Sequence, residues 1–285
     1  MRTLLIVNAD DLGLHPSLDE GIFTARREGV LTSASLLVTG RTARFAARQA
    51  RREGLAVGVH LSLCGNLPTV LPASKVKSLA PLGILPPAWS DFVRAWALGR
   101  VDGAEVQAEL EAQLCRAQEY GLEVDHVDSH QHLHLLPGLQ AHVLGLAKRH
   151  GLPVRWPSWD VSRRWLRKPV VAMKTTLLCA LAAMSTHPLP RAPQVRMVGL
   201  FESGALDEVT LLQLLARLPA GLVELGCHPG LTASAIPEAP AWRYRWEAEL
   251  HALSSHAVRR ALTESSIELT THSAAAVQTR PAARA

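Results

Sequence analysis

The chain has 285 residues, of which 48% are hydrophobic and 19% charged, with a formal net charge of +5. That balance excludes a disordered or low-complexity chain and supplies enough apolar surface for one large α/β domain. The excess positive charge does not mark a nucleic-acid binder, because arginines gather in helical stretches such as "RTARFAARQARRE" (41–53), where they read as a solvated helix face.

The run "TLLIVNA" (3–9) has the length and composition of a strand, and it stops at Asp10-Asp11. Its apolar part is too short for a signal peptide, so a cytoplasmic location is expected. "SLDE" (17–20) has capping-box spacing and predicts a helix ending near Gly29. "GVLTSASLLVTG" (29–40) reads as a strand, "RTARFAARQARREG" (41–54) as a helix and "LAVGVHLSL" (55–63) as a third strand. A Pro-rich insertion (64–101) follows, long enough to be a functional cover. "DGAEVQAELEAQLCRAQEYG" (102–121) is a helix that Asp102 can cap and Gly121 can stop. Then come strand "LEVDHVDSH" (122–130), a helix over about 138–150 and a short strand "LPVRWP" (152–157).

Residues 159–184 are expected to be mostly helical. They include the apolar stretch "PVVAMKTTLLCALAAM" (169–184), which is shorter than the ~20 residues of a bilayer span and leaves peripheral membrane contact open. "DEVTLLQLLARLP" (207–219) is an amphipathic helix and "GLVELGCHPG" (221–230) a strand ending in a turn. "WRYRWEAELHALSSHAVRRAL" (242–262) is a helix, "SIELTTH" (266–272) a last strand and 274–285 a frayed tail. Cys64, Cys115, Cys179 and Cys227 form no CxxC pair and fit free thiols in a reducing compartment. Alternating strands and helices argue for a parallel sheet in a single domain over 1–285.

The polar residues share a place in this scheme. Asp10 and Asp11, His60, Asp128 with His130, Arg155 and His228 all fall at or near the carboxyl ends of strands, where parallel α/β folds bind ligands. In "VDHVDSHQHLHLLPG" (124–138), His126, Asp128, His130, His132 and His134 have the same parity. His130, at the strand end, is the metal-facing member. Asp128 sits one pleat behind to orient a ligand, and His132 and His134 are expected to line the cleft. Asp11, His60 and His130 form a carboxylate and two-imidazole set suited to a catalytic divalent ion. Asp10 is then left beside the attacking water as a general base, provided that both aspartates lie in an irregular turn. Singly, each residue has a structural explanation: a helix-dipole partner for the Asp pair, a core histidine for His60, a turn residue for His228 and an ion-pair partner for Arg155.

The segments "NADDLG" (8–13), "GVH" (58–60), "HVDSHQHLH" (126–134), "VRWP" (154–157) and "ELGCHPG" (224–230) resemble the YdjC-like (ChbG-type) carbohydrate deacetylases, in that family's order and over most of the chain. Leu12 departs from the family's usual Phe. The resemblance implies a TIM-barrel-like (β/α) barrel with as few as seven regular strands, a homo-oligomer, and one divalent ion, Mg or Zn. It implies hydrolysis of the acetamide of an N-acetylglucosamine-type sugar in an oligosaccharide or glycolipid, a hopanoid glycolipid among them. Matched motif by motif, Asp11, His60 and His130 take the metal role, Asp10 the base role and His228 the general-acid role. The broader NodB-type relatives use an arginine to support the base, a part that falls to Arg155. Tryptophans in "ILPPAWSDFVRAW" (84–96) and "RWPSWDVSRRWLRKP" (155–169) are candidates to stack on sugar rings or meet a lipid. The rival readings are a metal-dependent phosphoesterase or other amidohydrolase, and a non-catalytic sugar- or metal-binding protein.

Overall fold

The computed structural model describes residues 2–157, 169–184, 195–232 and 244–278. Within them lie eight strands: β1 (Thr3–Leu12), β2 (Ser33–Leu36), β3 (Ala56–Leu61), β4 (Val124–Ser129), β5 (Trp156–Pro157), β6 (Arg196–Val198), β7 (Gly221–Cys227) and β8 (Ile267–Leu269). Seven of them run in the order β4-β3-β2-β1-β7-β6-β5, every pair parallel. The two ends of this curled sheet meet, because Val127 N–H donates to Pro153 O (3.0 Å) and Arg155 N–H to Val127 O (3.1 Å). The result is the expected TIM-barrel-like α/β fold with seven strands in the ring. Its membership differs from the sequence reading. β6 was not anticipated, and β8 lies off the ring, paired with β1 over Thr3–Leu5. A three-residue strand carries too little pattern to announce itself.

Among the described residues, ten helices pack around the sheet: α1 (Pro16–Glu28), α2 (Ala43–Glu53), α3 (Trp89–Ala97), α4 (Gly103–Glu119), α5 (Leu139–His150), α6 (Pro169–Ala183), α7 (Glu208–Leu215), α8 (Trp246–Ser254), α9 (His256–Glu264) and α10 (His272–Gln278). Asp102 caps α4 as expected, accepting from Ala104 N–H at 2.8 Å. α1 starts earlier than "SLDE" predicts. His15 is its cap, Pro16 takes the first turn, and Ser17 Oγ instead bonds the Thr232 backbone. The single helix expected over 242–262 is two, since Ser255 caps α9 through Ala257 N–H. The tail is ordered further than expected, with α10 reaching Gln278; residues 279–285 lie outside the described residues.

The apolar core lies between sheet and helices and includes Leu5, Val7, Ile22, Phe23, Leu36 and Val59. A smaller apolar set, Ile6, Val195, Leu222 and Ala275, joins β1, β7 and α10. Above it the lumen is polar, with Asn8, Ser35, His126, Arg155, Glu224 and His272 all buried. The insertion at 64–101 is part of the core through Val76, Ala80, Leu85 and Phe92. Among the described residues, no helix is long and apolar enough to cross a membrane.

Candidate active site and metal centre

The site begins with an irregularity in β1. Asn8 and Ala9 pair with Ser33 and Ala34, but the next match is Leu12 with Leu36, so β1 carries one extra residue. Asp11 absorbs it at φ 66, in the left-handed region that Asp tolerates better than most residues. Regular pleating would send Asp10 and Asp11 to opposite faces; the bulge lets both line one cleft. Gly13 follows at φ 87 and donates its N–H to Asp19 Oδ1 at 2.7 Å. Burial pushes the Asp19 carboxyl up to about 6.

His60 and Asp128 are register partners across β3 and β4. His60 Nδ1 donates to Asp128 Oδ1 at 2.7 Å, which turns Nε2 towards Asp11 Oδ1, 3.6 Å away. His130 Nδ1 lies 3.0 Å from the same oxygen, and the two imidazoles meet edge to face. Ligand atoms of Asp11, His60 and His130 all fall within 4.8 Å of one another. The carboxylate, the two ring nitrogens and the hydrogen-bonded second partner of His60 form a donor set that suits a divalent cation. The electrostatics fit too. Asp10, Asp11, Asp128 and Glu224 are buried, and Arg155 pairs with Asp10, Asp128 and Glu224. Burial would lower the His60 pKa, but Asp128, Asp10 and Asp11 outweigh it and raise it to about 9. Burial would raise Asp11, yet His130 and His60 hold its carboxyl below the usual range. The pocket attracts positive charge.

Arg155 is fully buried at the centre of the barrel. Its Nη1 and Nη2 donate to the two oxygens of Asp10, each at 2.7 Å. Nε donates to Glu224 Oε1 at 2.5 Å, and Nη1 also lies 2.8 Å from Asp128. Asn8 Nδ2 bonds Asp10 Oδ1 (3.0 Å) and Ser35 Oγ (2.8 Å), and Ser35 Oγ donates to Asp128 Oδ2 (2.8 Å). A carboxylate has about four lone-pair sites. Arg155 and Asn8 use three on Asp10, which leaves one on Oδ2, the oxygen 3.9 Å from His228 Nε2.

His228 ends β7. Its ring packs against Tyr244 (4.6 Å between centroids), and its backbone N–H donates to Glu249 Oε2 at 2.5 Å. Glu249 also accepts from Leu206 N–H, so one buried carboxylate ties the His228 turn to the loop before α7. The turn lies close on α1: a Cβ on Gly21 would overlap the Gly230 backbone. The cleft above these groups has a volume of about 280 Å³ and is walled by Gln131, His132, Thr175, Leu178, Phe201 and Tyr244. Gln131 and His132 are consecutive left-handed residues, φ 58 and 55, that swing the chain away after His130.

Three expectations need correction. His134 does not line the cleft: it is fully buried, contacts Ser129 Oγ through Nδ1 (2.6 Å) and the Arg155 carbonyl through Nε2 (3.1 Å), and so supports Arg155 from below. The left-handed pair at 131–132 breaks the parity that would have placed it in the cleft. Nor does any residue of 64–101 line the cleft; the insertion meets the site from outside it, at Gly65, where a Cβ would lie 3.4 Å from His130 Nε2. Among the described residues no tryptophan lines it either: Trp96 Nε1 bonds Pro137 O and Trp156 Nε1 bonds Ala182 O, while Trp159 and Trp165 lie outside the described residues. Sequence reasoning missed Asn8, Ser35, Glu224, Glu249 and His272. Glu224 did leave a signal, as a carboxylate inside the apolar run "LVELGC".

This is an α/β barrel with a buried Asp-His-His cluster and an arginine-clamped carboxylate at the carboxyl ends of its strands. The profile of the family described as YdjC-like protein matches residues 4–264, and the chain belongs to that family. It is similar to a carbohydrate deacetylase from Mus musculus, 36% identical with 94% of this chain and 93% of the relative covered. It is also similar to a chitooligosaccharide deacetylase from Serratia marcescens, 30% identical with 93% and 96% covered. A crystal structure from Enterococcus faecalis, described as a candidate cellobiose-phosphate cleavage protein, superposes with a TM-score of 0.76 at 28% identity, covering 97% of this chain and all of that one.

Proposed function

We propose that the protein is a metal-dependent hydrolase that removes the acetyl group from an N-acetylglucosamine-type sugar of an oligosaccharide, releasing acetate. One observation carries the reading: Asp11, His60 and His130 converge while Asp10, beside them, is held apart by Arg155. Binding alone would need no second, clamped carboxylate. The imidazole pair favours zinc over magnesium, which prefers oxygen donors. A bound divalent ion would polarise the acetamide carbonyl and lower the pKa of the attacking water.

The chain's own residues supply the rest. Asp10 takes the water proton on the Oδ2 lone pair that Arg155 and Asn8 leave open. Arg155 and Asn8 keep that oxygen aimed at the reacting centre. His228, whose Nε2 lies beside the same oxygen, gives a proton to the leaving amine, which departs poorly without one. Gln131, His132 and Tyr244 line the path the sugar takes to these groups. The names of the relatives support an N-acetylated carbohydrate as substrate.

The test is acetate release from N-acetylated chito-oligosaccharides by wild type and Asp10→Asn, with bound metal measured on both. The expected result is an active wild type, and a variant that keeps its metal and loses at least about a hundredfold in kcat. A variant with near-normal turnover removes Asp10 from the base role. Phosphate release from aryl phosphates without acetate release refutes the deacetylase reading.

A further inference from the structure

We infer that His272, which α10 brings to the floor of the barrel, is a positioning residue for Asp10, acting through Glu224 and Arg155. The inference rests on the deacetylase reading above. Asp10, Arg155, Glu224 and His272 form one column. Arg155 aims both Nη atoms at Asp10, and this aim depends on its Nε being held by Glu224 Oε1 at 2.5 Å. The other oxygen of Glu224 is buried and faces His272 Nε2 at 3.4 Å. The terminal torsion of a Glu side chain is broad and roughly two-fold. With nothing polar opposite Oε2, the carboxylate can turn, and Oε1 then leaves Arg155.

The ring of His272 is itself fixed. It stacks on His126 at 4.1 Å between centroids and 24° between planes, and His126 Nε2 contacts Ser35 Oγ at 3.0 Å. Its backbone N–H and that of Ser273 donate to Asp125 (3.2 and 2.8 Å), which anchors the start of α10 to β4. Ala275, one turn on, joins Ile6 and Leu222 in the apolar set at the base of the lumen. A leucine would fill this place without a buried imidazole's desolvation penalty, so the ring's value lies in what it does to Glu224. Burial, with His126 beside it, lowers the His272 pKa.

The experiment compares zinc-loaded wild type, His272→Leu and His272→Gln in steady-state acetate release, with zinc affinity by calorimetry and a thermal melt on each. H272L is expected to lose about tenfold in kcat, within the range for residues that orient catalytic groups, with KM and zinc affinity within about threefold. H272Q, whose amide N–H can still reach Glu224, is expected to keep at least about half of wild-type kcat. An H272L enzyme with unchanged kcat overturns the inference, as does an H272Q enzyme that falls equally far. A zinc affinity that falls by the same factor as kcat also overturns it, because the ring would then act on the metal site. If H272L does not fold, Glu224→Gln carries the test, and a kcat within about twofold of wild type refutes it. A wild type inert on every N-acetylated sugar sinks the deacetylase reading itself; an active wild type with an unaffected H272L sinks only the inference.

Discussion

Arg155→Lys separates charge from shape at the centre of the barrel. Arg155 makes four short contacts: Nε to Glu224 (2.5 Å), Nη1 to Asp10 (2.7 Å) and Asp128 (2.8 Å), and Nη2 to Asp10 (2.7 Å). Lysine keeps the positive charge but gathers its three protons at one point. It cannot serve Glu224 on one edge and both Asp10 oxygens at the other. At least two charge-assisted bonds are lost, each worth about 1.5–3 kcal/mol. Some of this returns through the retained charge, so R155K should fold with roughly 3 kcal/mol less stability. Arg155→Met leaves three buried carboxylates with no cation between them and should lose about 3–5 kcal/mol or fail to fold. For catalysis the loss of aim matters more. Displacement of a reacting group by about 1 Å costs roughly a hundredfold, so R155K should fall at least that far in kcat with its bound metal retained. Urea unfolding and acetate release on the same preparations measure both quantities. An R155K enzyme within threefold of wild-type kcat refutes the claim that the fork geometry aims Asp10.

Asp128→Asn keeps an acceptor for His60 Nδ1 but removes the charge, and metal affinity in a chelator competition should drop about 10- to 100-fold. Burial holds the His134 pKa down from 6.5 to about 4, so the unfolded chain takes the proton first and stability falls as pH drops from 6.5 towards 4, by about 3 kcal/mol. Asp19 acts in the opposite sense: with its pKa raised from 3.8 to about 6, its contribution is full below 3.8 and is lost as pH rises through 6, by about 3 kcal/mol. The two slopes oppose each other in wild type. His134→Gln should flatten the first and Asp19→Asn the second, in urea midpoints taken at pH 4, 6 and 8. Gln131, at φ 58, should tolerate Gly with a change in melting of under about 1 kcal/mol, whereas Gln131→Val should lose about 1–2 kcal/mol because a branched side chain fits the left-handed region poorly.

Much of this site is visible in the residues themselves. Strand ends can be read from apolar runs that stop at polar residues, and parallel strands bring those ends to one rim. That logic places Asp10, Asp11, His60, His130, Arg155 and His228 together from the sequence alone. What escapes it is set by single residues or by contacts distant in sequence. The extra residue at Asp11 changes which way two carboxylates point, and no periodicity encodes it. The left-handed turn at Gln131 and His132 sends His134 under Arg155 instead of into the cleft. Asn8 and Ser35 look like ordinary strand positions until the barrel closes and the lumen proves polar. Glu249 sits on a helix 21 residues from the His228 amide it holds, where helical spacing offers no clue.

The pairing of β1 bears on the order in which the molecule can be built. The strand carrying Asp10 and Asp11 meets β2 about twenty-five positions later, but its other partners, β7 and β8, are contributed by residues 221–227 and 267–269. Contacts so remote in sequence carry a large loop-closure penalty and form late. During ribosomal synthesis at roughly 5–20 residues per second, the first strand waits many seconds for its far edge to exist. Assembly of the Asp11, His60 and His130 cluster should therefore be a post-translational event, and stalled chains ending before residue 221 should bind a divalent ion weakly even though all three residues have already left the exit tunnel.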